Sequence, residues 1–132
     1  MNAKTSHGFS VRIHIPSGDP DGLKIVEKSN WIGRGLVFPR PLFDETKKQR
    51  EEQNRAGVYV LWGPGRADFV PQAYIGEGDP VLARLEDHAK NRGFWTHAAV
   101  FFSKDENLNK AFVQHIEARL ILLADRAKRC AL

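Results

Sequence analysis

From Phe9 to Ile15 the chain reads Phe-Ser-Val-Arg-Ile-His-Ile, apolar at every second position, which predicts a half-buried strand. The turn formers Pro16-Ser-Gly-Asp-Pro-Asp-Gly22 end it. Leu23 to Lys28 reads as a second strand paired with the first. Ser29 is placed to cap a short helical segment through Gly35, although two glycines weaken that helix. Leu36-Val-Phe38 is a short apolar piece stopped by Pro39 and Pro41, and Phe43 to Asn54 is charged and helix-prone, with Asp44 near its start.

Beyond residue 56 the pattern changes. Gly57-Val-Tyr-Val-Leu-Trp62 is β-branched and aromatic, a strand broken by Gly63-Pro64-Gly65. Ala73-Tyr-Ile-Gly-Glu77 is its partner, so the pair predicts an antiparallel hairpin with a long connection. Asp79-Pro80 predicts a helix start, with aspartate at the N-cap and proline in the first helical position. That helix runs to about Lys90 and is closed by Asn91-Arg92-Gly93. Trp95 to Phe102 reads as a third strand, and Asn107 as the cap of a final helix through about Lys128. The order β-β-α-β-α implies an α+β fold: a small central antiparallel sheet flanked by helices, preceded by an N-terminal β segment. Residues 1–55 form that segment, packed on a core formed by residues 56–132.

With 132 residues the chain suffices for one core. No stretch approaches the run of about 20 apolar residues that a membrane-spanning helix needs. The N-terminus has no apolar secretory region. Cys130 is the single cysteine, which excludes a disulfide framework and a cysteine-based zinc site. The expected location is therefore reduced and cytoplasmic, with no membrane partner. A net charge of +4 suits a polyanionic partner, but the basic residues are dispersed, and the run Thr46 to Glu52 reads as a solvated helix face.

Against that background three features carry chemistry. On the last predicted helix Phe112, Val113, Ile116, Leu120, Leu123, Ala124 and Ala127 form one apolar stripe, and Glu117 falls inside it. An ionised carboxylate there requires a cation or donor to offset its desolvation. A metal ligand, a salt bridge to an arginine such as Arg84, or a stripe edge reaching water would each satisfy that need. Arg84 and His88 are four apart on the preceding helix and lie one above the other. They form either a phosphate-holding and proton-moving pair or a solvated surface pair. Tyr59 and Tyr74 sit on the hairpin, where a phenol becomes an acid or base only beside cations that lower its pKa.

Together these residues resemble the GIY-YIG nucleases. Gly57-Val58-Tyr59 and Tyr74-Ile75-Gly76 are similar to the two half-motifs, with valine replacing isoleucine in the first. Arg84 follows ten residues after Tyr74, His88 one helical turn later, His97 at the start of the third strand and Glu117 on the final helix. The resemblance covers about residues 56–128, and the ordered set is far more specific than either tripeptide. Residues 1–55 resemble the leader segment of some bacterial members. Within that leader Trp31, Arg34 and Arg40 are expected to pack on the core rather than touch nucleic acid.

The resemblance implies a metal-dependent endonuclease that hydrolyses phosphodiester bonds in DNA. Glu117 would hold a single divalent cation, Mg²⁺ or Mn²⁺. Arg84 would hold the scissile phosphate, and Tyr59 would activate or position the attacking water. Tyr74 would orient nucleophile or phosphate, His88 would assist proton transfer, and His97, Lys90 and Arg92 would make weaker nucleic-acid contacts. Gly76 is expected to allow close packing under the site. Many members carry an asparagine after the glutamate helix; this chain ends at Leu132 without one, so either it is cut from a longer protein, the favoured expectation, or this branch manages without the asparagine. The competing class is a nucleic-acid-binding module that keeps the fold without cutting. Target, pathway and oligomeric state are not encoded in these motifs.

Overall fold

A computed structural model describes residues 8–30, 32–48, 55–64, 70–103 and 110–127. Trp31, the expected cap Asn107, residues 49–54 and Cys130 lie outside the described residues, as do the side chains of Lys90, Phe112 and Val113. The fold is α+β. Six strands, β1 (Val11–His14), β2 (Lys24–Lys28), β3 (Gly33–Pro39), β4 (Gly57–Gly63), β5 (Gln72–Gly78) and β6 (His97–Ser103), form one sheet in the order β1-β2-β3-β6-β4-β5. Every pairing is antiparallel. The helices are α1 (Phe43–Thr46), α2 (Val81–Lys90) and α3 (Lys110–Ala127). Among the described residues no helix is long and apolar enough to cross a membrane.

The expected hairpin is β4–β5, with Tyr59 directly opposite Gly76 and Leu61 opposite Tyr74. The third strand of the motif region, β6, inserts between β4 and β3, and so joins the N-terminal strands to the motif region in one continuous sheet. This pairing corrects the helical segment expected from Ser29 to Gly35. The Ser29 hydroxyl accepts from the Ser10 N–H at 3.0 Å, and Asn30 turns the chain with φ 58. Gly33–Pro39 then pairs with β6 along its whole length. A seven-residue ladder to a distant partner outweighs a local cap signal already weakened by two glycines.

Period-two alternation divides the sheet into two faces. On one, Tyr59, Leu61, Val100, Phe102, Leu36 and Phe38 meet Val81, Leu82, Leu85 and Ala89 of α2 in the main core. On the other, Val58 and Ile75 form a smaller cluster with Ala56, against which Val60, Leu120 and Ala124 of α3 pack. Both helices lie over the β5 end of the sheet, on opposite sides of that edge strand.

Two other expectations change. β1 pairs with β2 as anticipated, but Val11 and Ile13 are 53% and 55% exposed, so its apolar face is not half-buried. The strand lies at the edge farthest from α2 and α3, beyond the reach of either helix. At the start of α2, Pro80 rather than Asp79 precedes the first helical residue, and no side chain caps it. The Val81 N–H instead donates to the Arg55 carbonyl at 2.8 Å, so a tertiary contact replaces the expected aspartate cap. The helix ends at Lys90 as expected, with Asn91 as C-cap in a right-handed conformation and no left-handed glycine.

Candidate active site

Three rings meet where α2 crosses the hairpin. Tyr59, in the middle of β4, is fully buried and points toward α2. Its ring lies across the backbone of Gly76: a Cβ there would overlap the Tyr59 Cζ and Oη atoms and stand 2.8 Å from Cε1. The second half-motif thus ends in glycine because the ring occupies the space of a side chain. Tyr74 projects from the same face of β5, its ring 6.1 Å from that of Tyr59. His88 stands edge-on to Tyr59 at 6.1 Å and lies 5.7 Å from Tyr74. Its Nδ1 is 2.7 Å from the Tyr59 hydroxyl, a hydrogen bond whose direction follows the imidazole tautomer.

Two arginines border the rings. Arg84, one turn before His88, lays its aliphatic stem over Gly78, where a Cβ would overlap the Arg84 Cβ and approach Cγ to 2.8 Å. Arg92, just past the end of α2, holds its guanidinium carbon 4.0 Å from the centre of the Tyr74 ring. Among the described residues neither arginine makes a salt bridge. Two guanidinium groups beside three polar rings are suited to an anionic ligand.

Electrostatics set the protonation states. Burial, reinforced by Tyr74, pushes the Tyr59 phenol well above its usual value, and the opposing pull of Arg84 and Arg92 does not reverse this. Tyr59 is therefore a neutral phenol at physiological pH. Burial also lowers the His88 pKa, followed by repulsion from Arg84 and Arg92, against a weaker opposite effect of Asp87. A histidine held neutral can accept a proton.

Glu117 lies on the other face. It occupies the stripe of α3 that faces the sheet, one turn before Leu120 and two before Ala124, and is half-buried. Burial raises its pKa, the neighbouring Glu77 raises it further, and Arg84 acts the other way. No salt bridge joins Glu117 to Arg84, so of the three origins considered for a buried carboxylate the arginine pair is not formed. Glu77 itself sits on the face of β5 that carries Ala73 and Ile75, and its charge in an otherwise apolar alternation was the sequence signal for it. Among the described residues no three histidine, cysteine or acidic side chains converge as a metal cage. Glu117 with Glu77 is a donor set of hard oxygens, which fits Mg²⁺, an ion that keeps most of its waters and takes one or two carboxylates.

The remaining candidates separate from this group. His97 stacks on Trp62, ring centres 5.8 Å apart and nearly parallel, with Thr96 Oγ1 2.9 Å from its Nδ1. It belongs to the opposite face from Tyr59 and to the far end of β4. Arg40 packs over Trp95 of the main core as expected, whereas Arg34 pairs with Glu27 of β2 at 3.5 Å. No protein-family model, curated protein or solved structure matches the chain.

Proposed function

We propose that the protein is a metal-dependent endonuclease that hydrolyses phosphodiester bonds in DNA. The observation that carries this reading is the convergence of Tyr59, Tyr74 and His88 beneath two arginines that form no salt bridge among the described residues. Glu117 stands across the same edge strand, close enough to Arg84 for their charges to interact. This is the ordered residue set that the sequence resemblance singled out.

In this reading Arg84 grips the scissile phosphate and offsets charge that builds on its oxygens in the transition state. His88 is the general base. Its Nδ1–H donates to the Tyr59 hydroxyl, which leaves Nε2 free to take the proton from water as the new O–P bond forms. The leaving oxygen departs as the bond on the opposite side of phosphorus breaks. Tyr59 fixes the tautomer and ring plane of His88 rather than contacting water itself, because it is buried and neutral. Tyr74, half-buried, is the tyrosine able to touch substrate. Glu117, with Glu77 beside it, would hold the Mg²⁺ or Mn²⁺. When bound, that ion supplies Lewis-acid stabilisation of charge on the phosphate oxygens.

Supercoiled plasmid incubated with Mg²⁺ or Mn²⁺ tests this. Nicking should require the metal and fall by about 10²-fold or more in His88→Ala and Glu117→Ala. Salt-sensitive DNA binding without nicking would replace the enzyme by a binding module, a reading favoured by the placement of Glu117 on the face opposite the ring cluster. Neither binding nor nicking would remove nucleic acid from the account altogether.

A further inference from the structure

The loop from Asn91 to Thr96 joins α2 to β6 without regular structure, yet hydrogen bonds tie it down at both ends, at Asn91 and Arg92 and at Trp95 and Thr96. The Asn91 and Arg92 N–H groups donate back to the carbonyls of His88 and Ala89, both at 3.3 Å. The Trp95 indole N–H donates to the Ala89 carbonyl at 3.3 Å. At the far end the Thr96 N–H donates to the Trp62 carbonyl at 2.9 Å, and further ties come from Arg40, which follows β3 and belongs to the N-terminal segment. Its backbone N–H donates to the Thr96 carbonyl at 2.7 Å. Its guanidinium Nη1 donates to the carbonyls of Arg92 at 3.3 Å and Trp95 at 3.2 Å, and its guanidinium carbon lies 4.6 Å above the Trp95 ring.

Arg40 thus directs its charged end at two main-chain carbonyls and a ring, with no carboxylate among them. Nothing in that arrangement points the Arg40 charge at a ligand. Its effect is to hold the loop, and the one cation that the loop carries into the ring cluster is Arg92. Tyr74, under Arg92, and Gly78, under Arg84, lie on the same face of β5, four positions apart. Arg84 meets that face through its Cβ and Cγ, whereas Arg92 brings its guanidinium onto it, over the Tyr74 ring.

We propose that Arg92 binds a phosphate of the DNA backbone, and that Arg40 is the positioning residue that holds Arg92 over Tyr74. The assignment rests on the nuclease reading for its ligand. It gives the N-terminal segment a part in the site, through a contact that joins residues 52 positions apart. A lysine at position 40 has no planar guanidinium to lie over Trp95 while one nitrogen donates to both carbonyls, so it cannot replace the arginine.

The test uses binding of a fluorescein-labelled duplex to the full chain carrying Glu117→Ala, measured across salt concentrations with Mg²⁺ present. Relative to that parent, Arg92→Ala should weaken binding about tenfold and lower the slope of log affinity against log salt by about one, while Arg92→Lys should keep the slope. Arg40→Lys should lower the slope similarly with little change in melting temperature, and the Arg40→Lys/Arg92→Ala double variant should bind no worse than Arg92→Ala alone. That non-additivity distinguishes positioning from general destabilisation, which would add. A parent that binds with an ordinary salt slope while Arg92→Ala matches it overturns the proposal and leaves the nuclease reading standing. Additive losses in the double variant overturn the role of Arg40. A wild-type chain that neither binds nor nicks DNA overturns both readings together.

Discussion

The two helices that flank β5 are held in different ways. α2 buries Val81, Leu82, Leu85 and Ala89 to 3% exposure or less in the main core. α3 rests on the opposite face through Leu120 and Ala124, while Ile116, Ile121, Leu122 and Leu123 stay 36–46% exposed. The helix that carries Arg84 and His88 is therefore clamped by a close-packed interior, where small displacements are costly. The helix that carries Glu117 is held by a narrow stripe with a partly desolvated carboxylate in its middle. Groups that must keep a hydrogen-bond geometry, such as His88 against Tyr59, sit on the rigid side. The Glu117 carboxylate, which the proposed function assigns to a cation, sits on the looser one.

Core truncation should expose this contrast most strongly. Leu85→Ala, in α2, is expected to cost about 2–5 kcal/mol, whereas Leu123→Ala, in α3, should stay within about 0.5 kcal/mol. Urea unfolding of both variants checks it, and equal losses would mean that the two faces are equally packed. Next comes Gly76→Ala, which drives a methyl group into the Tyr59 ring and should cost about 1–3 kcal/mol. The same change should displace Tyr59 from His88, visible as a shift in the His88 ring resonances by NMR. Tyr59→Phe removes one hydrogen bond at constant shape, so a loss of about 0.5–1.5 kcal/mol is expected, with the ring packing intact.

The smallest effects are those of pH, and they run in opposite directions on the two sides. His88 has a folded pKa below its ordinary 6.5, so the unfolded chain takes up the proton first. Its contribution to stability is lost as pH falls from about 6.5 toward the lowered value. Glu117 has a folded pKa above its ordinary 4.5, so stability falls as pH rises from there through the raised value. Glu117→Gln should therefore raise the melting temperature at pH 7, with the gain vanishing below pH 4.5. A variant less stable than wild type at pH 7 would show that the carboxylate is compensated within the folded chain.

Much of this arrangement was legible in the chain itself. Period-two alternation along Gly57–Trp62 puts Tyr59 and Leu61 on one face and Val58 and Val60 on the other, and the structure has that division. Helical periodicity put Glu117 among apolar positions, although the stripe that packs is narrower than the sequence implied, because Ile116 and Leu123 remain exposed. The errors share one origin. Ser29 and Asp79 are sound local cap signals, yet the first gave way to pairing with β6 and the second to the Arg55 carbonyl. Alternation in β1 foretold a buried face, but burial needs a covering element, and none of the described residues supplies one there.

What the sequence alone determined is the set of strands and helices near the motif, their antiparallel hairpin, and the residue types able to do chemistry. These follow from periodicities that act within a few positions. Tertiary structure decided which of those residues meet. It joined Tyr59 to His88, sent His97 to stack on Trp62, set Glu117 across the sheet from the rings, and tied Arg40 to the loop of Arg92. Such contacts depend on the order of strands in the sheet and on which face each helix covers, and no local pattern in the chain carries that information.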